Sequence, residues 1–257
     1  MSTRNNNQLV IKELAQAYYK DNKRQNKVLI IAIAMSVLLL YSAFSIAYGK
    51  IRSDYLIDIR GMGTVATVSL ENGSEAQYEQ MKSLPYIIDT GIQKTVGSAT
   101  FQDYWEGQLI YLDDSAYEKM MMPAYTDIIG SYPQKADEIM LSASSLQQME
   151  IDHPVIGMEI ELRTILSEGA EETDLFSLSG YYTDYVDFSV TEPEAYVSKA
   201  FLDQQEISAF PADKIMAVTG SLQDERGIET KLYSDLTMEY AAQQVFAENP
   251  MVKQSVE

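Results

Sequence analysis

Between Lys27 and Lys50 the chain runs VLIIAIAMSVLLLYSAFSIAYG, and the 21 residues from Val28 to Tyr48 carry no charge. As an α-helix, a segment of that length spans about 31 Å, the thickness of a bilayer's hydrocarbon core. An export signal has a shorter apolar region and a shorter basic lead. The small-x-small triplet Ser45-Ile46-Ala47 fits a cleavage site, but the length and the 27 residues before it favour a retained membrane helix. Ala32 and Ser36, and then Ala43 and Ala47, are pairs of small residues four apart, a spacing that lets helices approach closely in lipid.

Charge orients this helix. Residues 1–27 hold six basic residues against two acidic ones, a net +4, while the remainder holds 13 basic against 36 acidic, a net −23. Lys and Arg stay on the cytoplasmic side, so the sequence predicts a cytoplasmic N-terminus and a large acidic extracytoplasmic domain, localised to the cell membrane. Three segments follow: a basic amphipathic stretch at 1–27, a transmembrane helix at 28–49 and an exterior domain at 50–257. In the first, Ile11, Leu14 and Tyr18 share one helical face, with Lys12, Gln16 and Lys20 on the other. Such a helix lies flat on the inner leaflet against membrane lipids. The chain's net charge of −19 repels phosphates, so no nucleic-acid partner is expected.

The exterior part has room for a core of its own, with 257 residues in all. The membrane helix is expected to run on into KIRSDYLIDIR and break at Gly61-Met62-Gly63. TVATVSLE alternates as a strand, Asn72-Gly73 marks a turn, and SEAQYEQMKSL reads as a helix capped by Ser74 and ended before Pro85. YIIDTGIQKTVGSATF supplies one or two strands and EGQLIYLD another. DSAYEKMMM reads as a short helix and PAYTDIIGSYPQKA as loop. DEIMLS, GMEIELRTIL, LFSLSGYYTDYVDFSV and KIMAVTGSL read as strands, SASSLQQM as a helix, and AYVSKAFLDQQEI as strand then helix. The acidic run SEGAEETD is predicted as a hairpin tip, and the chain from about Asp224 to Asn249 as helical. This mixture of short helices and hairpins predicts an α+β fold: one N-terminal transmembrane helix followed by a mixed domain.

The sequence offers little chemistry. It has no cysteine, which removes disulfides, thiolate nucleophiles and thiolate metal ligands. It has a single histidine, His153, in a predicted turn beside Pro154. Gly61-Met62-Gly63-Thr64-Val65-Ala66 fits GxGxxA, but no strand precedes it and a strand rather than a helix follows. There is no phosphate-binding loop GxxxxGK[ST]. The run of Glu168, Glu171, Glu172 and Asp174 reads as a solvated loop. The reading is therefore not an enzyme, with no catalytic, cofactor-binding or metal-ligating residues and no cofactor. Eighteen tyrosines against one tryptophan stand out, with Tyr181 and Tyr185 at the same parity of one strand.

The order of pieces carries a resemblance. A basic amphipathic helix, an apolar helix, then SYPQKADEIMLS, the Val155–Leu162 strand with its Gly157, the Phe176–Gly180 strand and AYVSKAFLD follow one another. This order resembles the FtsX-like permeases of ABC transporters, with their MacB-type extracytoplasmic domain. Met158 stands where that pattern carries a polar residue. The resemblance implies transport driven by a separate cytoplasmic ABC ATPase subunit, homo- or heterodimers of permeases, and an exterior domain that acts on a lipid, peptide or partner protein. It also implies three further membrane helices after the exterior domain, where the ATPase would be gripped. The sequence is accordingly expected to be the N-terminal portion of such a permease. A single-pass, membrane-anchored binding or sensor module is the alternative.

Overall fold

The computed structural model describes residues 8–102, 104–166, 169, 171–185, 192–220, 227–236 and 245–248. The chain divides into two compact units, Met1–Ser53 and Asp54–Glu257.

The first unit holds helix α1 (Gln8–Asp21) and most of helix α2 (Lys23–Met62). Ile11, Leu14 and Tyr18 of α1 are exposed, as is the apolar run of α2 from Val28 to Tyr48 apart from the half-buried Ser42. Among the described residues α2 is the one helix long and apolar enough to cross a membrane. Ser36 and Ser42 donate their hydroxyls to the carbonyls of Ala32 and Leu38, so neither presents an unmet donor to lipid. As expected, α2 ends at Gly61-Met62-Gly63, with Gly63 at φ 72°.

The second unit is a mixed sheet clothed by short helices. Its strands are β1 (Val68–Gly73), β2 (Ile87–Phe101), β3 (Trp105–Leu112), β4 (Thr126–Gly130), β5 (Glu138–Ser142), β6 (Glu159–Leu166), β7 (Glu171–Thr183), β8 (Glu194–Val197), β9 (Ala212–Thr219) and β10 (Phe246–Glu248). Helices α3 (Glu75–Ser83), α4 (Ala143–Gln148), α5 (Lys199–Gln204) and α6 (Ile228–Asp235) lie between them. The pairings run β10-β1-β9-β2-β3-β8-β5-β7-β4, and β6 joins β2 to β7. Six strands, β2-β3-β8-β5-β7-β6, therefore form a closed circuit of ladders, with β9, β1 and β10 as a wing on β2.

The length of β2 makes the closure possible. Residues 87–93 pair with β9, and residues 97–100 pair with β6 on the same edge. Against β3 the register shifts between Thr95 and Gly97, and such a bulge bends a strand. Gly97 stands where β6 comes closest: a Cβ there would sit 2.3 Å from the Ile165 carbonyl oxygen, so glycine is required.

One face of each strand in the circuit feeds the larger core, with Val96, Leu109, Val197, Leu141, Leu178 and Leu162 all at or near zero exposure. Phe201 and Leu202 of α5 and Leu146 of α4 pack on the same cluster. The opposite face builds a second cluster around Ile110, Met140, Tyr196 and Met216, covered by a π-helical turn (Ala116–Met121), a 3₁₀ turn (Met122–Ala124) and Tyr125. Both faces of β3, β5 and β8 are thus buried, which is why Leu-Ile-Tyr-Leu and Ile-Met-Leu read as continuous apolar runs.

Local chemistry sets the helix starts. Ser74 caps α3, accepting from the Gln77 N–H at 3.3 Å, while the Gln77 side chain accepts from the Ser74 N–H at 2.8 Å, a reciprocal capping box. Ser142 and Ser198 accept in the same way from Ser145 and Phe201 at α4 and α5.

Several expectations are corrected. The stretch from Thr126 to Gly130 is a strand, not loop. Met122-Pro123-Ala124 continues as a 3₁₀ turn where the helix was expected to stop. Glu171, Glu172 and Asp174 stand within β7 rather than at a hairpin tip, and the Thr164 hydroxyl bonds to Asp174; Glu168 lies outside the described residues. The segment expected to be helical to Asn249 contains α6 and then the short strand β10.

Candidate binding cavity

The second unit contains a cavity of about 410 Å³ on the side of the sheet that carries the smaller core. Strand alternation decides which side chains reach it. On β2, Ile92 belongs to the larger core, so Gln93 turns to the opposite face. Lys214 of β9 is its cross-strand partner, and Met216 is two residues further on. On β8, Ala195 and Val197 face the larger core, so Glu194 and Tyr196 face the other way. Tyr182 of β7 does the same, next to Asp184 at the strand's end. Residues Gly61–Thr64, across the end of α2, also line it, as do Met121, Tyr125 and Glu192, with Ala66, Val68, Ser69 and Ala247 near β1.

Tyr125 and Tyr182 of the lining form a stacked group with Tyr196 behind them. The rings of Tyr125 and Tyr182 lie 4.1 Å apart and those of Tyr182 and Tyr196 5.6 Å apart, each pair nearly parallel. The Tyr196 hydroxyl donates to Glu194 Oε2 at 2.9 Å and lies 2.5 Å from the Tyr125 hydroxyl. With Tyr196 donating to the carboxylate, Tyr125 is the donor to Tyr196. A relay of two hydroxyls therefore ends on a carboxylate at the cavity wall.

Burial dominates the electrostatics. It pushes the Glu194 carboxyl above its ordinary value, with Asp184 adding to the rise and Tyr196 and Lys214 opposing it. Burial likewise raises Asp184, and the Ser144 hydroxyl, 3.2 Å away, opposes that rise. Tyr125, Tyr182 and Tyr196 are all raised well above the phenol range, burial first and the Glu194 charge among the further causes. They are neutral hydrogen-bonding groups rather than acids.

Gln93 is only 8% exposed and lines the cavity. Among the described residues the indole N–H of Trp105 and the Nε of Arg60 are buried without partners, and neither residue lines the cavity.

The residues that the sequence singled out fall elsewhere or play other parts. His153 is exposed in a bend. Asn72 and Gly73 end β1, with Asn72 at φ 53°, and Ser74 is a helix cap. Gly61, Gly63 and Ala66 do line the cavity, yet the strand β1 follows them and no helix opens there to receive a phosphate. Tyr181 packs against the larger core, and Tyr185 stands exposed beyond the end of β7 beneath the Arg60 guanidinium. Tyr182, between them, is the buried one. Gln93, Asp184, Glu194, Tyr125 and Tyr196 went unremarked in the sequence. The period-2 spacing of Glu194 and Tyr196 was the available signal, but nothing in it shows that β7 and β9 bring Asp184 and Lys214 to the same face.

No known family profile and no curated protein sequence matches the chain. Among solved structures it is similar to the periplasmic region of MacB from Actinobacillus actinomycetemcomitans, with 11% identity and a TM-score of 0.49 over 78% of this chain and 95% of that one. It is also similar to the extracellular domain of the ABC-type transporter YknZ from Gram-positive bacteria, with 8% identity and a TM-score of 0.45 over 71% of this chain and all of that one. At these values neither likeness carries an assignment of function.

Proposed function

We propose that the chain is a permease-type subunit of an ABC transporter, or its N-terminal portion, with α2 in the cell membrane and the second unit outside. The observation that supports it is the ordered set of sequence pieces. A basic amphipathic helix and one apolar helix precede a mixed domain, in which SYPQKADEIMLS leads into β5, Val155–Leu162 into β6, Phe176–Gly180 lies in β7 and AYVSKAFLD makes β8 and α5. Residues 1–27 lie in the cytoplasm, with the stripe Ile11, Leu14 and Tyr18 in the lipid interface. A separate cytoplasmic ATPase supplies the energy, and the subunit pairs with a second permease through membrane helices. The exterior domain acts on a lipid, peptide or partner protein. One of the neighbours named above, YknZ, is described as an ABC-type transporter, in keeping with this reading. The test is purification of the epitope-tagged gene product, at its native length, from native membranes. A nucleotide-hydrolysing ABC ATPase subunit is expected to co-purify, and a preparation free of one sinks the proposal.

The cavity favours a second reading, a single-pass anchored binding module. It is supported if the same preparation lacks an ATPase yet binds a small ligand.

A further inference from the structure

We propose that the cavity of the second unit is a binding site for a small organic cation, an ammonium or guanidinium group on an apolar body. The inference stands independently of how the chain is used in the membrane.

Two observations carry it. The first is the balance of the lining. Asp184, Glu192 and Glu194 face one basic residue, Lys214. Lys214 is exposed and makes no ion pair with Glu194 among the described residues. A cation entering the cavity would meet an excess of negative charge, from Asp184 and Glu194, which are half-buried, and from Glu192, which is exposed. The remaining lining mixes polar groups, Thr64, Ser69 and Gln93 among them, with aromatic and apolar ones, including Met121 and Met216 as adaptable walls.

The second observation is Gln93. Gln93 as a residue is more than nine-tenths buried, lines the cavity, and is turned there by strand alternation. Its amide atoms are not among the polar atoms shut off from solvent, so the part of the residue left open is its polar end. Its carbonyl oxygen is an acceptor and its amino group a donor, both open to a ligand. An amide acceptor beside a carboxylate that already receives the Tyr196 hydroxyl is suited to an N–H-rich cation.

The ligand is organic rather than a bare metal ion. No group of three acidic or histidine side chains with metal-binding geometry occurs among the described residues. The volume, about 410 Å³, also falls in the range of small-molecule pockets.

The probes are 2-phenylethylamine, its neutral analogue 2-phenylethanol and the anion 3-phenylpropanoate. Each is titrated into the detergent-solubilised full chain carrying 13C-methyl methionine, with the Met121 and Met216 signals as reporters. The amine is expected to shift both signals saturably at neutral pH, at least about tenfold tighter than either analogue. Glu194→Gln and Gln93→Met are each expected to weaken the amine about tenfold or more, while Asp89→Asn, outside the cavity, changes nothing. Both variants are near-isosteric, and the dispersion of the remaining methionine signals checks that they fold. Absence of saturable shifts with the amine, equal binding of all three probes, or folded variants that bind the amine as the parent does would overturn the proposal.

Discussion

The hydroxyl of Tyr132 accepts the Leu112 N–H at 2.9 Å. It also reaches the Val197 carbonyl at 3.0 Å, so one phenol ties the ends of the parallel strands β3 and β8. Tyr132→Phe leaves that buried N–H without its acceptor. The expected loss is about 1–3 kcal/mol. Trp105, the chain's one tryptophan and buried in β3, reports it as a lower urea midpoint at unchanged slope. An unaltered midpoint would mean that the phenol contributes nothing at this junction.

Gly91 of β2 is expected to resist replacement. A Cβ there would sit 2.5 Å from the Ala116 nitrogen and 2.7 Å from its Cα, backbone atoms of the π-helical turn. Gly91→Ala should cost about 1–3 kcal/mol or more by overpacking, whereas Gly157→Ala meets open space and suffers only from its φ of 86°. Thermal melts of the two variants compare these effects. A milder result for Gly91→Ala than for Gly157→Ala contradicts the packing described.

A pH dependence follows from three half-buried carboxyls. Asp113, Asp184 and Glu194 all have folded values above their ordinary ones, with burial the leading cause. Their contribution is fully present below the unfolded values, which lie around 4, and is lost as pH rises through the raised folded values. Glu138 acts oppositely. Burial raises it, but the Lys135 ammonium and the backbone N–H groups of Gln134 and Lys135 outweigh that and lower it, so its contribution is lost as pH falls. Glu194→Gln is therefore expected to gain more stability relative to the parent at pH 7 than at pH 4. An equal difference at both pH values refutes the assignment to Glu194.

Orientation is tested in intact spheroplasts. Protease added outside should digest the acidic domain and leave an N-terminal tag protected. The reverse pattern would invert the topology proposed from Lys12, Lys20, Lys23, Arg24 and Lys27.

Legibility in the sequence followed the range of the interactions. The α3 helix was readable because Ser74, Gln77 and Pro85 lie within a dozen residues. The strand β6 was readable because Ile160, Leu162 and Thr164 alternate cleanly with exposed Glu159, Glu161 and Arg163. β4 was hidden by its irregularity: Asp127 sits at φ 49°, the register against β7 slips between Thr126 and Ile129, and Pro123 precedes it. β10 is three residues long and owes its conformation to β1, more than 170 positions earlier. The cavity was the least legible feature, because β2, β7, β8 and β9 each place only one or two side chains in it.

The closed circuit of ladders also has a mechanical meaning. An open sheet can be unzipped from its outermost strand one ladder at a time. The six strands of the circuit have no outermost member, so freeing any one of them breaks at least two ladders together. A pull applied at the ends of the second unit should peel the wing of β10, β1 and β9 at low force and then meet a single, higher yield point. The fold thereby contains a compliant part and a stiff part within one sheet.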